Sequence, residues 1–128
     1  MITALEHVAI VADAPEALAS WYCQTLGCEV ALADEKNSTY FVAVPGSGVL
    51  EILPSNNRSR GDEQGDDAGI RHIAFTVVDF DEACRELKEQ GVELLQPISV
   101  SVSGTKLAFF PDLEGNILQF VYRPQPLR

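Results

Sequence analysis

The chain reads as an α+β fold of two tandem βαβββ modules within one domain of 128 residues, and three observations predict it. The stretch Leu5-Glu6-His7-Val8-Ala9-Ile10-Val11 returns as Ile70-Arg71-His72-Ile73-Ala74-Phe75-Thr76-Val77, each copy an apolar strand interrupted by one of the chain's two histidines. Each copy is followed by a helix-start signature, Asp13-Ala14-Pro15-Glu16 and then Asp79-Phe80-Asp81-Glu82. Matched landmarks also keep nearly constant spacing: 65 residues from His7 to His72, 66 from Glu16 to Glu82, 64 from Gly27 to Gly91 and 68 from Glu51 to Gln119. Intervals this uniform mark an internal duplication. The first module covers about 1–54, a linker about 55–69, and the second module about 70–124.

In the first module, Asp13 is placed to cap a helix that runs to Leu26 and stops at Gly27, with Leu18, Trp21, Tyr22 and Thr25 on one face. That aromatic stripe belongs to a core rather than to a cofactor platform. Residues 28–32 are extended, Lys36-Asn37-Ser38 is a turn and residues 39–44 are β-rich. Pro45-Gly46-Ser47-Gly48 is a second turn, leading into the buried strand Val49-Leu50-Glu51-Ile52-Leu53. The polar stretch that follows includes the acidic run Gly61-Asp62-Glu63-Gln64-Gly65-Asp66-Asp67 and reads as the linker.

In the second module Phe80, Ala83, Cys84 and Leu87 mark a helical face and Gly91 ends the helix. Residues 92–95, 100–102, 106–110 and 117–122 supply β material, with Pro111-Asp112-Leu113-Glu114-Gly115-Asn116 as the turn before the last strand.

A formal charge of −10 excludes a phosphate-tracking nucleic-acid binder, which needs a basic face. No stretch approaches the length of a membrane span. Met1-Ile2-Thr3-Ala4 enters the first strand without a basic leader or cleavage site. The three cysteines, Cys23, Cys28 and Cys84, have neither a pair count nor metal-ligand spacing and read as reduced thiols. A cytoplasmic protein acting on a small molecule is the expectation.

Strand alternation puts His7, Ala9 and Val11 on one face, and His72, Ala74 and Thr76 on the equivalent face of the copy. Bulky Val8, Ile10, Ile73 and Phe75 should face the helices. Small Ala9 and Ala74 leave room beside each imidazole. Glu51 sits among Val49, Leu50, Ile52 and Leu53, and Gln119 among Ile117, Leu118, Phe120 and Val121, where an unsatisfied polar group would be costly. If helices cover Leu50, Ile52, Leu118 and Phe120, then Glu51 and Gln119 share the histidine face. Two imidazoles, one carboxylate and one amide oxygen suit a divalent ion, either Zn, Ni, Co, Mn or Fe, with positions left for water or substrate. From the residues alone, an alternative stands level with it: Glu51 and His72 form a hydrogen-bonded pair while His7 and Gln119 are spectators.

The paired modules, His7 and His72, the segment Trp21-Tyr22-Cys23-Gln24-Thr25-Leu26-Gly27 and the segment Phe110-Pro111-Asp112-Leu113-Glu114-Gly115-Asn116 resemble the vicinal oxygen chelate superfamily. That group includes glyoxalase I, methylmalonyl-CoA epimerase, extradiol dioxygenases, fosfomycin-modifying enzymes and bleomycin-resistance proteins. The resemblance covers essentially the whole chain. It implies curved mixed sheets that form a ligand cleft, a homodimer, and metal ligands at His7, Glu51, His72 and Gln119. It also implies a divalent-metal-dependent lyase or isomerase of glyoxalase type, working through an enediolate on a substrate with vicinal oxygens; the carboxylate important to proton transfer in glyoxalase and epimerase members stands where this chain has Gln119, which leaves Glu51 as the candidate catalytic base.

One departure bears on mechanism. Many of these enzymes carry a glutamate in a Gly-Asn-x-x-Glu pattern where this chain has Gly115-Asn116-Ile117-Leu118-Gln119. A neutral amide can ligate but cannot accept a proton. The alternatives are a metal-independent, bleomycin-resistance-like protein that sequesters a drug or metabolite, and an extradiol-type dioxygenase. Arg58, Arg60, Arg71 and Lys106 are the candidate contacts for an anionic substrate group.

Overall fold

The computed structural model describes residues 1–58 and 67–128. Residues 59–66, which hold Arg60 and most of the acidic linker run, lie outside the described residues. The chain divides into two compact units, Met1–Gly61 and Asp62–Arg128.

The first unit runs β1 (His7–Ala12), α1 (Pro15–Leu26), β2 (Glu29–Asp34), a 3-10 turn (Glu35–Asn37), β3 (Thr39–Ala43) and β4 (Val49–Pro54). Its four-stranded sheet has the order β1-β4-β3-β2. β1 lies parallel to β4 and the other pairs are antiparallel, as a helical crossover between β1 and the rest requires. One sheet face buries Ile10, Ala12, Tyr40, Val42, Leu50 and Ile52, and α1 contributes Pro15, Leu18, Ala19 and Tyr22. Fully buried side chains such as Leu18 and Ile52 each stabilise by about 1.5–3 kcal/mol relative to exposure. Trp21 and Thr25, expected on the same helical face, are half-buried at its margin. The helix ends at Gly27, which takes the left-handed conformation (φ 73°) that a residue with a Cβ adopts only under strain.

The second unit runs β5 (Ile73–Thr76), α2 (Phe80–Glu89), β6 (Ser99–Val100), β7 (Lys106–Pro111) and β8 (Ile117–Tyr122). Its sheet order is β5-β8-β7-β6, the same plan with β5 parallel to β8. Phe80, Leu87, Ala108, Phe110, Leu118 and Phe120 form its core.

Four expectations are corrected. The N-cap of α1 is Ala14, not Asp13; the Asp13 carboxylate instead accepts the Ser55 hydroxyl at 2.6 Å, joining the helix start to the end of β4. In α2 the capping logic holds, with Asp79 accepting the Glu82 amide at 3.0 Å. Residues 92–95 form no strand: the amide of Val92 closes the helix end on the Leu87 carbonyl, and only Leu95 donates to Phe109, at 2.8 Å. Pro97, without an amide, follows after Gln96, and the strand expected at 100–102 is instead β6, which spans only Ser99–Val100. The turn expected at 36–38 is present, as a 3-10 turn over Glu35–Asn37 capped by Asp34, whereas His72 lies immediately ahead of β5 rather than inside it.

Candidate functional site

In the first unit, parallel pairing sets Ala9 of β1 opposite Glu51 of β4, and antiparallel pairing sets Phe41 of β3 opposite Glu51. His7, two residues before Ala9, therefore lies on the same face, which is the face away from α1. His7 Nε2 approaches Glu51 Oε2 to 3.1 Å, while Nδ1 hydrogen-bonds the Glu6 carboxylate. The Phe41 ring stands edge-to-face to the imidazole with centroids 6.5 Å apart. The Glu6 hydrogen bond, first among the causes, pushes the His7 pKa above 6.5; partial burial opposes it, and the charges of Glu6 and Glu51 add to the rise. A carboxylate on Nδ1 holds the tautomer whose Nε2 carries a lone pair, as partners of metal-bound histidines do.

In the second unit the register repeats: Ala74 and Phe109 both lie opposite Gln119. The His72 and Phe109 rings meet edge-to-face at 5.3 Å. Arg71 places Nη1 3.2 Å from His72 Nδ1 and its guanidinium 5.0 Å from the centroid of Phe109. Burial first, and the Arg71 charge second, pull the His72 pKa below 6.5, so this ring is held neutral, the form a metal needs. Gln119 is 6% exposed.

The loop before β8 explains how Gln119 is placed. Asp112, 5% exposed, accepts hydrogen bonds from the Glu114 amide at 2.9 Å, the Asn116 amide at 3.0 Å and Asn116 Nδ2 at 2.8 Å. These bonds fold residues 112–116 into a closed turn and fix where β8 begins.

Each unit thus brings its two predicted ligands onto one face, as His7 with Glu51 and His72 with Gln119. Within its own unit Glu51 contacts His7, and within the other His72 contacts Arg71. Among the described residues, no group of three or more His, Cys, Asp or Glu is placed to hold a metal, so each unit offers a two-donor half-set. The first half-set fits an ion well. Two donors about 2.1 Å from one ion lie about 3.0 Å apart at right angles and about 3.4 Å apart at the tetrahedral angle. The 3.1 Å between His7 Nε2 and Glu51 Oε2 falls in that interval. The neutral imidazole of His72 and the amide oxygen of Gln119 are donors of compatible chemistry.

The sequence reading missed Phe41 and Phe109, although they are 68 residues apart, as Glu51 and Gln119 are. It also gave no role to Glu6. Lys106, a predicted anion contact, sits instead 3.5 Å from Asp81 and over the rings of Phe80 and Tyr122, each centroid 5.8 Å away. The cysteines are free, and burial raises all three thiols, Cys28 to about 11, so none is a thiolate nucleophile near neutrality. Among the described residues no helix is long and apolar enough to cross a membrane.

A family model described as Glyoxalase/Bleomycin resistance protein/Dioxygenase superfamily matches residues 4–120. The uncharacterized protein YwkD of Bacillus subtilis is 30% identical over 117 residues, covering 88% of this chain and 91% of that protein. An ethylmalonyl-CoA/methylmalonyl-CoA epimerase of Cereibacter sphaeroides is 35% identical over 102 residues, covering 74% and 76%. A crystal structure of a glyoxalase family protein from Enterococcus faecalis superposes with a TM-score of 0.74 at 32% identity, covering 92% of this chain and 96% of that one.

Proposed function

Because the chain belongs to the glyoxalase/bleomycin resistance protein/dioxygenase superfamily, we propose that it is a divalent-metal-dependent lyase or isomerase that moves a carbon-bound proton on a small substrate with two adjacent oxygens. His7 and Glu51 from a first unit, and His72 and Gln119 from a second, are the proposed ligands. The observation that carries this reading is the 3.1 Å approach of His7 Nε2 to Glu51 Oε2. The ion, when bound, supplies Lewis-acid stabilisation of negative charge on the two oxygens. Glu51 is the base of the set, because its carboxylate accepts a proton and the Gln119 amide does not. Glu6 holds the His7 ring in its ligating tautomer, Phe41 and Phe109 wall each imidazole, and Ala9 and Ala74 leave space beside them. The similarity to a relative named as an epimerase of ethylmalonyl-CoA and methylmalonyl-CoA supports a 2-substituted malonyl thioester as the first substrate to try.

Two partner assignments accompany this reading. The exposed Val30 and Leu32 on outer strand β2 support a homodimer, which sedimentation at micromolar concentration would test. The free thiols fit the reducing cytoplasm.

Gln119 favours a second reading, a metal-independent protein that sequesters a drug or metabolite, with the charge of −10 drawing a cationic ligand. An extradiol-type dioxygenase receives less support, since the carboxylate stands on β4 and β8 carries an amide. Elemental analysis and solvent-deuterium exchange decide among them. The enzyme reading expects one divalent ion per site, EDTA-sensitive exchange at C2 of methylmalonyl-CoA, and loss of both in His7→Ala. Metal-replete protein without a stoichiometric ion, unaltered by that substitution, would overturn it.

A further inference from the structure

The two units treat the flank of their helix differently. In the first, the six-residue strand β2 follows α1, and Tyr22 is fully buried. The helix starts, Pro15 and Phe80, are 65 residues apart, so the residue of α2 that matches Tyr22 is the smaller Leu87. Residues 92–98, which follow α2, form no strand. What remains beside α2 is a groove of about 600 Å3, a volume in the range that holds small organic molecules. It lies on the helix side of the second sheet, where Phe110 and Leu118 are buried, and not on the alternate face that carries Phe109 and Gln119.

The groove is apolar inside and charged at its rim. Cys84, Val92 and Leu94, all half-buried, and Ile98, 42% exposed, supply the apolar surface. Three charged residues line it as well, Arg85, Lys88 and Glu93. Arg85 is occupied, with ion pairs to Glu82 and Glu89 along the helix. Lys88 and Glu93 are exposed, and among the described residues neither has an ion pair, with each other or with any third group. Both are brought to the groove by the helix end, where Gly91 turns the chain back at φ 78° and Val92 N–H bonds the Leu87 carbonyl at 2.9 Å.

We propose that this groove is a second ligand site, taking a small zwitterion with an apolar body, of which an aromatic α-amino acid is the simplest. The apolar body enters between α2 and residues 92–98, the carboxylate meets Lys88 and the ammonium meets Glu93. Charge decides for a zwitterion over its singly charged relatives. A lone anion would face Glu93 and the chain's net charge of −10, and a lone cation would face Lys88, whereas a zwitterion pairs both rim charges without adding net charge. The proposal stands apart from the metal reading, since none of the four proposed ligands lines the groove.

The test follows amide chemical shifts of 15N-labelled protein during titration with phenylalanine, 3-phenylpropionate, which lacks the ammonium, and phenethylamine, which lacks the carboxylate. Phenylalanine is expected to shift the amides of Cys84, Gly91, Val92 and Leu94, and to bind about two- to fivefold more tightly than either analogue, the scale of one exposed charge pair. Lys88→Gln should erase the advantage over phenethylamine and keep the advantage over 3-phenylpropionate; Glu93→Gln should do the opposite. Both substitutions lie at exposed positions and leave the core intact. Cys84→Phe, which fills the groove, should abolish the shifts for all three compounds, and phenylalanine should slow alkylation of Cys84 by N-ethylmaleimide in wild-type protein. Absence of shifts at the groove amides, equal binding of the three compounds, tighter binding of either analogue, or a preference unchanged by both charge substitutions would overturn the proposal.

Discussion

The two halves share a backbone plan and differ in charge. In both, a histidine lies two residues before an alanine paired with the polar residue of the last strand, and a phenylalanine lies opposite that residue on the next strand. Around this common frame the first half gathers Glu6, His7 and Glu51, and the second Arg71, His72 and Gln119. One histidine is surrounded by carboxylates and has its pKa raised; the other is partly desolvated beside a guanidinium and has its pKa lowered. Duplication therefore preserved register and the aromatic wall, while the titratable groups diverged. The carboxylates around His7 suit that corner to handling a proton, and the Arg71 guanidinium puts a positive charge beside His72.

The largest expected effect comes from erasing this difference at Glu51. Glu51→Gln gives both halves a histidine and glutamine set, removing the only carboxylate among the four proposed ligands while keeping an oxygen donor. Exchange at the substrate carbon is expected to fall by about 10²–10⁴-fold, the usual weight of a positioned general base. Divalent-ion content should persist, so the loss appears in turnover at saturating metal. An exchange rate unchanged by the substitution would remove Glu51 from the role of base.

Much of this was legible in the sequence because a duplication reports itself twice. His7 and His72 drew notice through matched spacing, and Gly27 and Gly91 through the left-handed conformations that end both helices (φ 73° and 78°). Glu6 and Arg71 were harder to read, since opposite charges at equivalent positions look like unrelated surface residues. Phe41 and Phe109 were passed over because an aromatic residue in a strand ordinarily reads as core. Asp13 illustrates a different limit: its capping pattern resembles that of Asp79, yet the helix starts one residue later, at Pro15, and the carboxylate is taken by Ser55 from the far end of β4. That tertiary contact, 42 residues away in the chain, leaves no mark in the local pattern.

The turns before the last strands differ as well. Residues 44–48 are closed by backbone bonds alone, Val44 N–H to the Gly48 carbonyl and Ser47 N–H to the Val44 carbonyl, both at 3.0 Å. Residues 112–116 are closed around the buried Asp112 carboxylate. Asp112→Ala leaves two backbone amides and one side-chain amide without that acceptor and should destabilise the protein by about 2–3 kcal/mol in chemical denaturation. Ser47→Ala at the equivalent turn should stay within about 0.5 kcal/mol. Equal losses at the two turns would show that the carboxylate contributes nothing the backbone does not.

The smallest effect sharpens the charge comparison directly. Proton NMR of metal-free protein should resolve two imidazole titrations, assigned with His7→Gln and His72→Gln, with His7 above 6.5 and His72 below it. The raised His7 adds stability that is present below 6.5 and lost as pH rises through its folded-state midpoint; the lowered His72 gives stability that is present above 6.5 and lost as pH falls through its own. The two windows lie on opposite sides of 6.5, so the two rings together give stability a maximum near pH 6.5 and a fall on either side. Glu6→Gln should bring His7 down, because the Glu6 hydrogen bond is the first cause of its rise. Arg71→Gln should raise His72 only part of the way, because burial, which that substitution leaves in place, is the first cause of its depression. Coincident midpoints in wild-type protein would mean that the two halves are electrostatically alike, and the division of labour argued from their charges would fall.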